Sequence, residues 1–250
     1  MTTSKIVFFG ESHVQAVKTA IRKANAPATG PEVSAYRLTK IKNGRLIGDI
    51  HFEDLKLICA ELTENDLVVS VVGGNQHNAF GLIQHPHPFD IAHADGTADP
   101  VAPGVTMIPR NAVKDVFLRG MRKNSQQILE IAQAGPYQTA HMVAPPPKAD
   151  NAHILSRIEA DFVSRGVVEK GVSPAALRYR TWELQNEALR MLLTEGNVLL
   201  LPPPESTTTP EGFLKPEYYA QDATHANAAY GAKLLEQASA LSATRPDTAG

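Results

Sequence analysis

Short, nearly continuous apolar runs alternate along this chain with longer stretches whose apolar residues recur at helical spacing. The apolar runs fall at residues 6–9, 67–72, 139–144 and 198–201. Segments of that length without polar alternation read as strands covered on both faces, which is the condition of a parallel sheet. Residues 33–38 supply a further strand. Between the strands, 14–24, 52–62, 111–134, 153–168 and 174–194 carry helical periodicity, and a last helix runs from about Asn227 to Leu241. Triple prolines at 145–147 and 202–204 close two of the strands, because proline has no N–H to give to a ladder. This order predicts an α/β fold around a central, mainly parallel sheet of five strands.

The length of 250 residues suits one sizeable core, so residues 1–241 are expected to form a single domain and 242–250 a disordered tail. A long insertion at about 80–109, rich in Pro, Gly, His and Asp, interrupts the plan. It begins close to Asn75, and loops of that length in compact domains are usually functional, so it is expected to wall or cover a pocket. A net charge of −2 without basic blocks gives no electrostatic footprint for nucleic acid or a membrane surface. The expected partner is a small molecule or a carbohydrate ester. The single Cys59 lies in an apolar setting and reads as a buried thiol. No segment resembles a signal peptide or a membrane span, which points to a cytoplasmic protein.

Four scattered segments carry chemistry: Gly10-Glu11-Ser12-His13, Asn43 to Asp49, Gly73-Gly74-Asn75-Gln76 and Asp222-Ala223-Thr224-His225. Ser12 follows the first strand and precedes the first helix, which places it at the carboxyl edge of the sheet, where α/β proteins bind ligands. Asn75 follows the strand at 67–72 and falls at the same edge. A serine, a histidine, an acid and a set of N–H donors are the parts of an acyl-transfer site. Each part alone has a simpler reading. Ser12 can cap a helix, Gly48 and Asn75 can serve turns, and Asp222 and His225 can belong to a surface turn.

Taken together, in this order and at these positions, the four segments resemble the blocks of the SGNH hydrolases, also called GDSL-type esterases. The resemblance covers almost the whole chain. It implies a flavodoxin-like three-layer sandwich and a serine esterase with Ser12 as nucleophile, Asp222 as acid and His225 as base, and an oxyanion hole of Ser12, Gly48 and Asn75. Gly48 fits the second block better than Gly44, because the Asn-x-x-x-x-Gly-Asp pattern is then kept. Two departures are visible: the usual Gly-Asp-Ser-Leu reads Gly-Glu-Ser-His, and Gly-x-Asn-Asp reads Gly-Gly-Asn-Gln. Neither removes a catalytic atom.

His13, Gln76 and His77, beside the proposed nucleophile and oxyanion donor, are the expected substrate contacts. The polar rim they make favours a short acyl group on a hydroxylated alcohol, such as an O-acetylated sugar. An O-acyltransferase using the same site, and a non-catalytic carbohydrate-binding protein retaining the fold, are the alternatives. A nucleotide-binding role lacks a glycine-rich phosphate cradle at the first strand–helix turn. His85, His87, Asp90 and His93 offer metal-ligand chemistry, but the prolines among them hold the segment extended, so no metal and no cofactor are expected. Trp182, on a periodic helix, reads as core.

Overall fold

The computed structural model describes residues 4–24, 30–42, 44–73, 75–93, 95–97, 102–158 and 160–244. Five strands, β1 (Lys5–Gly10), β2 (Glu32–Arg37), β3 (Leu67–Val71), β4 (Gln138–Met142) and β5 (Val198–Leu201), form one sheet in the order 2-1-3-4-5. Every neighbouring pair in it is parallel. This is the flavodoxin-like order, whose switch point lies between β1 and β3. The chain is therefore α/β with an all-parallel central sheet.

Strand alternation explains the two cores. Ile6 and Phe8 of β1 and Leu67, Val69 and Val71 of β3 pack to one side, against Val14 and Val17 of α1 (Val14–Lys23) and Tyr230, Leu234 and Ala238 of the C-terminal helix. Val7, Phe9 and Val68 pack to the other, against α2 (Phe52–Ala60), α4 (Arg110–Ala132) and α5 (Ala175–Leu193). α3 (Gln76–Gly81) follows β3, and α6 (Ala228–Ala243) closes the described chain. Phe8 and Phe9 are both fully buried, on opposite faces. Burial of a side chain of that size stabilises by about 1.5–3 kcal/mol.

Two sequence expectations are corrected here. The helix expected over 153–168 is three short pieces, Asn151–Ser156, Ala160–Val163 and Val167–Lys170. Arg157 leaves helical geometry at ψ 25°, and Gly166 takes φ +83°, a left-handed conformation that ends a helical run. The 80–109 stretch contains order that its composition did not announce: Phe89–Ile91 pairs in parallel with Thr106–Ile108. It is fastened to α5 by Arg180, whose Nη2 and Nε donate to Asp90 at 2.5 and 3.0 Å. Phe80 meets Phe89 and Phe117 edge to face. Residues 245–250 of the expected tail lie outside the described residues.

Trp182 is buried, with its indole N–H donating to the Ala144 carbonyl at 3.0 Å. Cys59 is buried, and burial pushes its thiol up to about 11, which leaves it no nucleophilic thiolate. No helix among the described residues is long and apolar enough to cross a membrane.

Candidate active site

β1 delivers Ser12 to the carboxyl edge. A Cβ on Gly10 would approach the Val71 carbonyl oxygen to 2.8 Å, so glycine lets β1 and β3 close tightly just before the serine. Glu11, Ser12 and His13 then turn into α1, with the Ser12 carbonyl accepting from the Gln15 N–H at 3.1 Å. Ser12 lies beyond the last residue of its strand, in the first turn of the crevice.

Asp222 and His225, the expected acid and base, arrive from far along the chain. Residues 219–226 make a tight excursion closed by an antiparallel bridge between Tyr219 and Ala226. Inside it, Asp222 Oδ1 accepts from the N–H groups of Thr224 and His225 at 3.0 and 2.7 Å, an Asx turn that fixes the carboxylate. Its other oxygen accepts from His225 Nδ1 at 2.9 Å. Burial alone would raise the Asp222 pKa, but these hydrogen bonds outweigh it and hold the carboxyl well below the usual carboxylate range. Asn227 then caps α6, accepting from Ala229 and Tyr230, while its amide donates to the Glu217 and Tyr219 carbonyls.

Ser12, His13, Asp222 and His225 line one cleft of about 310 Å³, together with Gln15, Ala16, Thr19, Arg37 and Ala226 to Ala228. Among the described residues there is no hydrogen bond between Ser12 Oγ and the His225 ring. Apo catalytic pairs are commonly this loose. His13 stacks against His225 with ring centroids 5.1 Å apart. Burial, with His225 and His77 nearby, pushes the His13 pKa down to about 3, so its ring is neutral.

Asn75 and Gln76 line a neighbouring pocket of about 160 Å³ with Glu11, Val72, Gly73, Ala79, Met121, Asn124 and Leu189. Asn75 Oδ1 accepts from the Asn78 amide at 3.1 Å, and Gln76 Nε2 donates to the Gly120 carbonyl at 3.3 Å. Gly48 lines neither space. It has φ +117°, and a Cβ there would meet the Leu38 carbonyl oxygen at 2.6 Å, so this turn accepts only glycine. It stays tied to the site through Leu38, whose N–H donates to the Gly10 carbonyl at 2.8 Å. Asn43 and Gly74 of the expected blocks lie outside the described residues.

Two expectations about substrate contacts change. His77 is only 2% exposed and lines neither space, with its N–H and ring facing Gln185 Oε1 at 2.8 and 3.2 Å. The described residues of the 80–109 stretch contribute nothing to either space: Asp90 ties them to α5, and Phe89 packs on Phe80, which in turn meets Phe117 of α4. Among the described residues, no group of three or more His, Cys, Asp or Glu side chains is placed to hold a metal ion.

Sequence reasoning missed Lys148, which is 2% exposed. Its Nζ donates to the carbonyls of Asp222 and Ala220 at 2.5 and 3.3 Å, and stands 4.9 Å over the Tyr219 ring. The Lys148 carbonyl in turn accepts from Arg178 Nη2 at 2.9 Å, and that guanidinium also reaches Asn151 Oδ1 at 2.8 Å. Two buried cations thus brace the Asp222–His225 excursion against α5. A Lys between a proline run and Ala149-Asp150-Asn151 carries no local mark of such a role.

No protein-family model and no curated protein sequence matches the chain. Among solved structures it is similar to a carbohydrate acetylesterase from Sinorhizobium meliloti, at 15% identity and a TM-score of 0.43, covering 96% of this chain and 97% of that one. It is also similar to an extracellular lipase from Streptomyces rimosus, at 12% identity and a TM-score of 0.46, covering 94% and 100%. At such identities and scores these likenesses carry no weight on chemistry, which rests on the chain's own residues.

Proposed function

We propose that this chain is a serine esterase of the SGNH type that hydrolyses short-chain acyl esters through an acyl-enzyme. The observation that carries the reading is the Asp222–His225 hydrogen bond of 2.9 Å set in the same cleft as Ser12, although 210 residues separate serine and aspartate. In this reading His225 Nε2 takes the Ser12 proton as Oγ attacks the ester carbonyl. Asp222, already anionic, holds Nδ1–H and favours the imidazolium that forms. The tetrahedral intermediate expels the alcohol, which receives the proton from His225. Water, deprotonated by the same imidazole, then releases the acid and restores Ser12.

The oxyanion would take N–H donors from Ser12 and the Asn75 side chain, with Gly48, which lines neither space, shaping the turn behind them. Asn78 supports that assignment, because it occupies Asn75 Oδ1 and leaves the two Nδ2 hydrogens for another acceptor. The 160 Å³ pocket, with Val72, Ala79, Met121 and Leu189 among its walls, suits an acetyl to butyryl chain. Gln15, Thr19 and Asn227 give the larger cleft a polar wall suited to a hydroxylated alcohol such as an acylated sugar. The test is labelling with a fluorophosphonate and hydrolysis of p-nitrophenyl acetate, butyrate and octanoate by the wild type and Ser12→Ala. Loss of both in the variant supports the reading, and labelling equal to wild type removes Ser12 from the mechanism.

A further inference from the structure

The wall of the Ser12 cleft contains a cation that the reaction above does not use. Arg37 is the last residue of β2 and pairs in register with Gly10, two residues before Ser12. Paired residues in a parallel sheet share a face, and Val33 and Ala35, at the alternate positions before it, pack into the core beside α1 and α6. The stripe that is apolar at 33 and 35 therefore ends in a guanidinium, at the carboxyl edge and in the cleft lined by Ser12 and His225.

Its charge is felt by Asp49, but no hydrogen bond commits its guanidinium. Among the described residues its guanidinium makes no hydrogen bond or ion pair, and its Nε is buried without a partner. Asp49 is the nearby carboxylate, but its Oδ2 accepts from the Arg37 backbone N–H at 2.8 Å and from Lys18 Nζ. Asp222, the other acid of the cleft, is taken by His225. Edge strands often carry a cation to blunt pairing, but that role is served by an exposed side chain and not by a buried, unpaired Nε. A guanidinium is the group best shaped to receive a carboxylate, through two parallel N–H···O bonds.

We infer that Arg37 is an anion-recognition residue of this cleft, and that the ester hydrolysed at Ser12 carries a carboxylate on the same molecule, as an acylated hydroxy acid or sugar acid does. This rests on the esterase reading and narrows its substrate class. Charge-assisted hydrogen bonds of this kind separate anionic from neutral ligands by about tenfold or more.

The test compares kcat/KM for 4-acetoxybenzoate against methyl 4-acetoxybenzoate, with the charge on the alcohol half, and for p-nitrophenyl hemisuccinate against its methyl ester, with the charge on the acyl half. The wild type should favour the anionic member of at least one pair about tenfold or more, mostly through KM. Arg37→Gln should bring that ratio towards unity, and Arg37→Lys should recover part of it. A second measurement does not depend on turnover: 4-acetamidobenzoate, but not 4-acetamidobenzamide, should shift the Arg37 Nε–H resonance in the Ser12→Ala variant. Equal rates for charged and neutral esters, or a ratio unmoved in Arg37→Gln, overturn the inference while leaving the esterase reading intact. Carboxylate binding at Arg37 without hydrolysis of any ester overturns the esterase reading and the substrate class drawn from it, and leaves Arg37 only as an anion-binding residue.

Discussion

The rings of His13 and His225 lie 5.1 Å apart at a tilt of 53°, so the proposed base rests against a second imidazole that burial keeps neutral. Protonating His13 would set a positive charge against His225 exactly where the reaction needs to create one. A neutral ring supplies packing without that penalty, which gives the unusual residue after Ser12 a physical role. Farther inside, His141 is buried with Nδ1 at 3.0 Å from Ser70 Oγ, and burial pushes its pKa down to about 3 as well.

These two imidazoles make folding sensitive to acid. Both pKa values fall from the ordinary 6.5 to about 3 on folding, so the unfolded chain binds protons that the folded chain refuses. Stability is therefore full above about pH 6.5 and declines as pH falls from there towards 3, by about 1.4 kcal/mol per pH unit for each imidazole. Asp222, whose pKa is depressed, adds a loss in the same direction once pH falls below the ordinary carboxylate range. Urea midpoints at pH 7.5, 6 and 5 should decrease steadily, with a shallower decline in His13→Met. A midpoint independent of pH would contradict the burial of neutral rings.

Asn75→Ala should lower kcat by about 10²–10³ with little change in KM, as loss of one oxyanion donor does. Asn78→Ala, which frees the Asn75 carbonyl without touching its donors, should cost about 10- to 100-fold in the same parameter. Steady-state kinetics with p-nitrophenyl acetate reads both. If Asn78→Ala raised KM and spared kcat, Asn78 would act on ground-state binding instead.

Lys148→Met keeps the length of the buried stem and removes the donors to Asp222 and Ala220. The two carbonyls left unpaired should cost about 1–3 kcal/mol in urea unfolding. The larger effect is expected on kcat, because the turn holding His225 loses its brace. The discriminating measurement is fluorophosphonate labelling of folded protein well below the unfolding transition: an undiminished rate would make Lys148 a stability element alone.

The ordering of residues 80–109 changes what truncating or loosening them should do. Asp90→Ala leaves Arg180 largely buried without its carboxylate, at a cost of about 2–4 kcal/mol in stability. Because the described residues of the segment line neither the Ser12 cleft nor the Asn75 pocket, the ranking of acetate, butyrate and octanoate esters should not change. A reordered ranking, measured on folded variant, would return this segment to the substrate.

How much the sequence disclosed follows from the range of the forces involved. β1 and β3 were legible because strands covered on both faces must be apolar throughout, β5 because three prolines close its apolar run although Leu199 is exposed, and Ser12 and Asn75 because residues just past buried strands fall at one edge. The helix over 153–168 misled because its apolar spacing is helical while Gly166 takes φ +83°. Residues 89–91 and 106–108 pair across a gap too long for any local signal. Lys148, Arg178 and Arg37 read as solvated cations, and only tertiary packing assigns them their places.

Ser12, the proposed nucleophile, stands after β1, and His225, the proposed base, just before α6, so synthesis makes the serine long before the histidine. A chain still held at its C-terminus can pair β1, β2 and β3 and cover them with α1 and α2, yet it has no imidazole to take the serine proton. Ser12 emerges early into a crowded cell as an ordinary hydroxyl. In the proposed mechanism it gains a base only when α6 docks on α1 and brings His225 into the cleft, so the chemistry waits until both helical layers cover the sheet.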